Sequence, residues 1–128
     1  MTIAYGRPYK KGRDIFGGLE SYGKVWRAGA DEATQITFAK DCKVVGRPVK
    51  AGTYTLFVIP NKNEWTLILN SKLGQWGAYE YDKTKDVVTA AVAATTLDNV
   101  VEQFTIEASA EAIKMMWDKT AATFPVSY

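Results

Sequence analysis

Apolar and polar positions alternate with a period of two along most of the chain beyond Thr34. In TQITF (Thr34–Phe38), Ile36 and Phe38 share one face while Gln35 and Thr37 take the other, which is strand patterning. TYTLFVI (Thr53–Ile59) is rich in β-branched and aromatic residues, and WTLIL (Trp65–Leu69) follows it across Pro60-Asn61-Lys62-Asn63-Glu64, a connection of hairpin length. The same alternation predicts strands at Asp86–Val92, Val101–Ala108, Ala112–Trp117 and Ala122–Tyr128, with one more short strand at Met1–Tyr5. Pro125 cannot donate to a ladder, so it belongs on an edge strand or at a strand end. Ser71–Ala78 carries two interior glycines and reads as a turn or one helical turn.

This leaves Gly6–Ala33 as a long irregular excursion with six glycines. Excursions beyond ~12–15 residues in a compact domain tend to carry function or to be disordered. Ile15, Phe16, Leu19, Tyr22, Val25 and Trp26 make this one too apolar for disorder, so it is expected to fold back over an open end of the strands. The pattern as a whole predicts one all-β domain over 1–128, an antiparallel two-sheet sandwich of Ig-like or jelly-roll-like type, with a partly closed β-barrel as the alternative.

Composition narrows the chemistry. The 128 residues include no His, so Ser-His-Asp and Cys-His machinery is excluded. Cys42 is the single cysteine; it forms no internal disulfide and cannot complete a zinc or copper ligand set, so no metal or cofactor is expected. Neither GxGxxG nor GxxxxGK[ST] occurs. A net charge of +2 is too small for a general grip on a phosphate backbone, so no nucleic-acid partner is expected. No apolar run reaches membrane-spanning length, and MTIAYGRP lacks the form of a secretory signal. The charge is unevenly placed: residues 1–27 hold six cations (Arg7, Lys10, Lys11, Arg13, Lys24, Arg27) against Asp14 and Glu20, a local excess of four that either receives a small anion or is simply solvated.

Within the excursion, YGKVWRAGADEAT (Tyr22–Thr34) sets Trp26-Arg27 just ahead of Asp31-Glu32. A guanidinium beside an indole in an apolar loop needs a carboxylate, and Asp31 or Glu32 can bend back across Gly29 to supply one. That reading makes Arg27 a structural clasp. In the other, Arg27 joins Lys11 or Arg13 to present an open fork to a carboxylate, phosphate or sugar. Asp31 and Glu32 also form the one adjacent pair of acids in this segment, although adjacency alone does not set the carboxyl spacing that glycoside hydrolysis needs. Trp26, Trp76, Tyr79 and Tyr81, with Gln75 beside Trp76, suit a sugar ring, but the same side chains more commonly plug the end of a sandwich. Trp65 and Trp117 lie in strands and are expected in the core.

GRPYKKGRDIFGGLESYGKVWRAGADEAT (Gly6–Thr34), AGTYTLFVIP (Ala51–Pro60), EWTLILN (Glu64–Asn70), QWGAYEYD (Gln75–Asp82) and MWDKTAATFPV (Met116–Val126) together resemble the bacterial family catalogued as domain of unknown function 2911. The resemblance covers nearly the whole chain. It implies a small all-β domain, found in Bacteroidetes-like bacteria and often preceded by an export signal, with no assigned activity; by it the protein is exported or periplasmic, although this chain shows no signal peptide. Arg7, Pro8, Lys11, Gly12, Arg13, Phe16, Gly17, Tyr22, Trp26, Arg27, Gly29 and Glu32 match the family motif. Asp31 departs from it, the family more often having Asn there, which makes Glu32 the stronger partner for Arg27.

The expectation is a non-enzymatic domain that binds a small polar ligand, a carbohydrate or anionic metabolite, or a protein partner. Lys11, Arg13 and Arg27 would donate, Trp26 and Trp76 stack with the amide of Gln75 beside them, and Glu32 orient as acceptor. One alternative is a carbohydrate-active hydrolase with Glu32 as acid/base. Another is a homo-oligomerising module, such as a homodimer formed through an edge strand.

Overall fold

A computed structural model describes residues 1–30, 32–75, 78 and 81–128. Eight strands follow one another: β1 (Thr2–Ala4), β2 (Gln35–Phe38), β3 (Cys42–Val44), β4 (Arg47–Val49), β5 (Gly52–Pro60), β6 (Glu64–Asn70), β7 (Asp86–Ala108) and β8 (Ala112–Ser127). All are antiparallel to their neighbours, in the order β1-β2-β5-β6-β7-β8-β3-β4. The all-β architecture is the one the alternating pattern predicts. Hydrogen bonding joins every strand into one eight-stranded sheet, which is open, with β1 and β4 as its edges, and is not closed into a barrel.

Chain connectivity forces this sheet to curl. β2 is second in order and β3 seventh, so in a flat sheet they would lie five strand spacings, roughly 24 Å, apart. Only four Cα steps separate Phe38 from Cys42, a reach of ~14 Å. The ends of the sheet therefore approach one another, and residues from β2 through β8 contribute to one buried cluster that includes Phe38, Leu56, Trp65, Phe104, Trp117 and Phe124. Trp65 and Trp117 are both essentially inaccessible, as their places in the pattern predict.

Three features differ from the sequence reading. Asp86–Val92 and Val101–Ala108 are parts of a single strand, β7, and the two C-terminal segments merge likewise into β8. β7 pairs with β6 as far as Ala93 and with β8 from Ala94, so the Ala/Thr-rich stretch passes from one partner strand to the other rather than breaking. The β3–β4 hairpin is new: Val45 and Gly46 both have positive φ (51° and 75°), the two-residue primed turn, but with a β-branched residue where Asn or Asp is usual. Pro125 lies two residues from the end of β8, as its missing donor requires, and its carbonyl accepts from Val45 N–H.

β5 is buried on both faces, with Tyr54 to Val58 all inaccessible. Leu56 and Val58 face the main cluster, whereas Phe57 joins Ile68 and Ala33 in a second one against Val25, Ile59, Ala78 and Tyr81. The N-terminal excursion and the segment after β6 supply this outer cover.

Candidate functional site

The excursion is held by backbone groups that strands leave over. β7 slips in register against β8 between Thr96 and Val101 and again before Thr105, which frees its backbone there. Residues 7–11 take up the pairing: Lys10 N–H donates to Glu102 O (2.7 Å), Phe104 N–H to Pro8 O (2.9 Å), and Arg7 Nε to Phe104 O (3.2 Å). Further along, Trp26 pairs with Val58 by reciprocal backbone bonds of 2.7 and 2.9 Å, extending the edge of β5 beyond β2.

That bridge explains the Trp-Arg pair. Successive side chains of an extended segment face opposite sides. Trp26 enters the main core among Phe16, Trp65, Phe104 and Trp117, with ring centroids 4.9–6.1 Å away. Val25 and Arg27 face the other way, toward the second cluster. The chain then turns through Ala28, fully buried with φ 55°, and Thr34 closes the loop by donating Oγ1 to Ala28 O (2.7 Å) and N–H to Arg27 O (3.2 Å).

Glu20 comes to the same place from a tight knot at Ile15–Glu20, where Glu20 N–H donates to Ile15 O and Gly17 N–H to Glu20 O. Gly18 is obligatory in this knot, since a Cβ there would lie 2.5 Å from Asp14 O. Glu20, Val25, Trp26, Arg27 and Ala78 line a cleft of about 190 Å³. Burial holds the half-buried Glu20 carboxyl above its ordinary range, although Arg27 and, more weakly, Arg13 pull it down. Arg27 donates Nε to Gly29 O at 3.4 Å, a marginal bond. Among the described residues the only ion pair joins Lys10 to Asp118 (3.9 Å), so neither Glu20 nor Glu32 clasps Arg27.

The other expected site residues are dispersed. Arg13 spends its fork on Lys10 O (2.9 Å) and Tyr9 O (2.5 Å). Lys11 has an exposed side chain and anchors through its N–H to the Glu102 carboxylate (2.9 Å). Glu32 is exposed in a separate cleft of about 290 Å³ with Tyr5, Gly6 and Gln35. Trp26 is 4% exposed, so its faces serve the core rather than a ligand. Gln75 is buried beneath the loop, its backbone carbonyl accepting from Ala33 N–H (3.0 Å) and its side-chain Nε2 donating to Lys72 O (2.6 Å), while Oε1 has no partner among the described residues. Asp31, Trp76 and Tyr79 lie outside the described residues. Tyr81 packs on Phe57 and donates to Asp86; burial first, and then that bond, raise its pKa.

Glu20 is not among the site residues that the sequence pattern singles out. The available signal was its rarity, since it is one of two acids among six cations in residues 1–27. Its raised pKa sets a pH dependence of opposite sign to that of an ion-paired carboxylate. The folded state holds the Glu20 proton more tightly than the unfolded state, so this group's contribution to stability is intact below its ordinary value of 4.5 and is lost as pH rises through the higher folded value. Glu20→Gln is therefore expected to be more stable relative to the parent at pH 7 than at pH 4, measured by urea denaturation at both pH values. An equal difference at the two pH values would refute the assignment.

Among the described residues no group of three or more His, Cys, Asp or Glu is placed to hold a metal ion, and no helix is long and apolar enough to cross a membrane. No curated protein and no solved structure matches the chain. A family model does, over residues 1–126, and it covers all of the fold but the last residue of β8, together with both clefts. The chain accordingly belongs to the family described as Protein of unknown function (DUF2911).

Proposed function

We propose that the protein is a binding protein for a small anion, taken up in the cleft between Glu20 and Arg27. The observation that carries this is Arg27 itself: a guanidinium at the wall of a cleft with one marginal hydrogen bond and no carboxylate within ion-pair distance among the described residues. An arginine held in a partly desolvated position without an acid favours an acceptor from outside, and its planar fork suits carboxylate or phosphate oxygens. Val25 and Ala78 add an apolar wall, and the cleft has space for on the order of six waters, which limits the bound part to a small group.

Arg27→Ala is expected to leave stability within about 1 kcal/mol of the parent, because no buried pair is broken; a true clasp would cost ~3–5 kcal/mol. The same variant should lose binding. Amide chemical shifts of the ¹⁵N-labelled protein, followed while titrating acetate and inorganic phosphate, test this directly. Shifts around Val25–Ala28 that saturate in the parent and vanish in Arg27→Ala support the reading. Titrations without an Arg27-dependent response to either anion sink it.

A further inference from the structure

Glu20 and Arg27 carry opposite charges, line one small cleft, and yet stop short of an ion pair. We infer that a hydroxycarboxylate fills this gap, its carboxylate on the Arg27 fork and its hydroxyl donating to the Glu20 carboxylate. This rests on the reading of Arg27 as an anion site and extends it to the ligand's class. Three arguments converge. No described side chain or backbone group donates to the half-buried Glu20 carboxylate, and its oxygens are not among the fully buried unpartnered atoms, so they are open to a hydroxyl donor from the cleft. A carboxylate facing Glu20 would be repelled, so the ligand must be two-ended, anionic toward Arg27 and donating toward Glu20. Among the described residues the charges that act on Glu20 are Arg27 and Arg13, a balance of +1 with Glu20 itself, which a monoanionic hydroxy acid neutralises and a zwitterionic amino acid does not.

Glu20 would then be a specificity residue, and Arg27 the anchor. A site built to accept a hydroxyl's hydrogen discriminates against the analogue lacking it, because the acceptor is otherwise left unpaired. The cleft is short enough that a sugar acid would insert its carboxylate end and leave the remainder in solvent.

The test uses three molecules of nearly the same size: lactate, propionate and alanine, titrated at pH 7 into the ¹⁵N-labelled parent, Glu20→Gln, Glu20→Ala and Arg27→Ala. Lactate should bind with roughly millimolar affinity and about tenfold or more ahead of propionate. That preference should collapse in Glu20→Ala and narrow in Glu20→Gln, which keeps the side-chain volume and guards against a variant that fails to fold. Both acids should be lost in Arg27→Ala. Equal, Arg27-dependent binding of lactate and propionate overturns the inference and leaves the anion site standing. Tighter binding of alanine overturns it in favour of a zwitterion. If none of the three binds while phosphate does, the hydroxycarboxylate assignment falls alone; if phosphate also fails, the anion site falls with it.

Discussion

Trp26→Ala is expected to destabilise the protein by ~3–5 kcal/mol, the range for deleting a large buried aromatic from a packed core. The indole meets four other rings, stacking on Trp117 at 5.9 Å and meeting Phe104 at 4.9 Å, edge to face, and it ties the excursion to both β6 and β8. Removing it opens a cavity that the surrounding strands cannot fill, since each is fixed by its own ladder. Differential scanning calorimetry should show the melting temperature falling by roughly 10–20 °C. Trp26→Phe should recover most of the loss. The indole Nε1 has no acceptor among the described residues, so the ring is what the core requires and not its N–H. A loss below about 1 kcal/mol for Trp26→Ala would mean that the excursion is not packed as described. The same variant should weaken anion binding as well, because Arg27 is aimed by the strand alternation that Trp26 anchors.

Asn70→Ala is the second large effect, expected at ~2–5 kcal/mol from orphaned polar groups. Asn70 is fully buried where the β6–β7 register shifts, and it uses both ends of its amide. Nδ2 donates to Asp82 O and to the Asp86 carboxylate, each at 2.9 Å, and Oδ1 accepts from Lys72 N–H at 3.0 Å and from Gln75 Nε2 at 3.4 Å. Alanine leaves the Lys72 N–H and one Asp86 oxygen without these partners. Asn70→Asp should be as damaging at pH 7, where it faces Asp86 with like charge, and should recover in part as the pH falls through the carboxylate range. Denaturant titrations at pH 4 and pH 7 separate the two variants. Because this network holds Gln75 and Asp82, which flank Ala78 of the cleft wall in sequence, Asn70→Ala should also reduce lactate binding, though less than Arg27→Ala. Unchanged stability in Asn70→Ala would refute the network as drawn.

The long strands and the short hairpin show why a readable pattern still misleads in places. In β7 the stretch Ala93-Ala94-Thr95-Thr96 is weakly apolar because the strand changes partners there, and a weak alternation resembles a break. The β3–β4 hairpin escapes because each strand has three residues and its turn is Val45-Gly46, without the Asn or Asp that marks a primed turn. Closeness in sequence places Glu32 beside Arg27. Ala28 at φ 55° and the Thr34 clamp turn the chain instead, and Glu32 emerges in another cleft while Glu20 arrives from the far side of the excursion.

What the residues determined alone is what local chemistry can specify: an all-β chain from its period-two alternation, the β5–β6 hairpin from its turn cluster, a core holding Trp65 and Trp117, the absence of histidine catalysis, and Arg27 as the side chain in need of an explanation. The acid that shares a cleft with Arg27, and the face on which Arg27 emerges, depend on contacts between segments far apart in the chain. Those contacts follow from which strands pair and where β7 slips past β8, and a pairing register is set by the packing of the whole sheet rather than by any one segment.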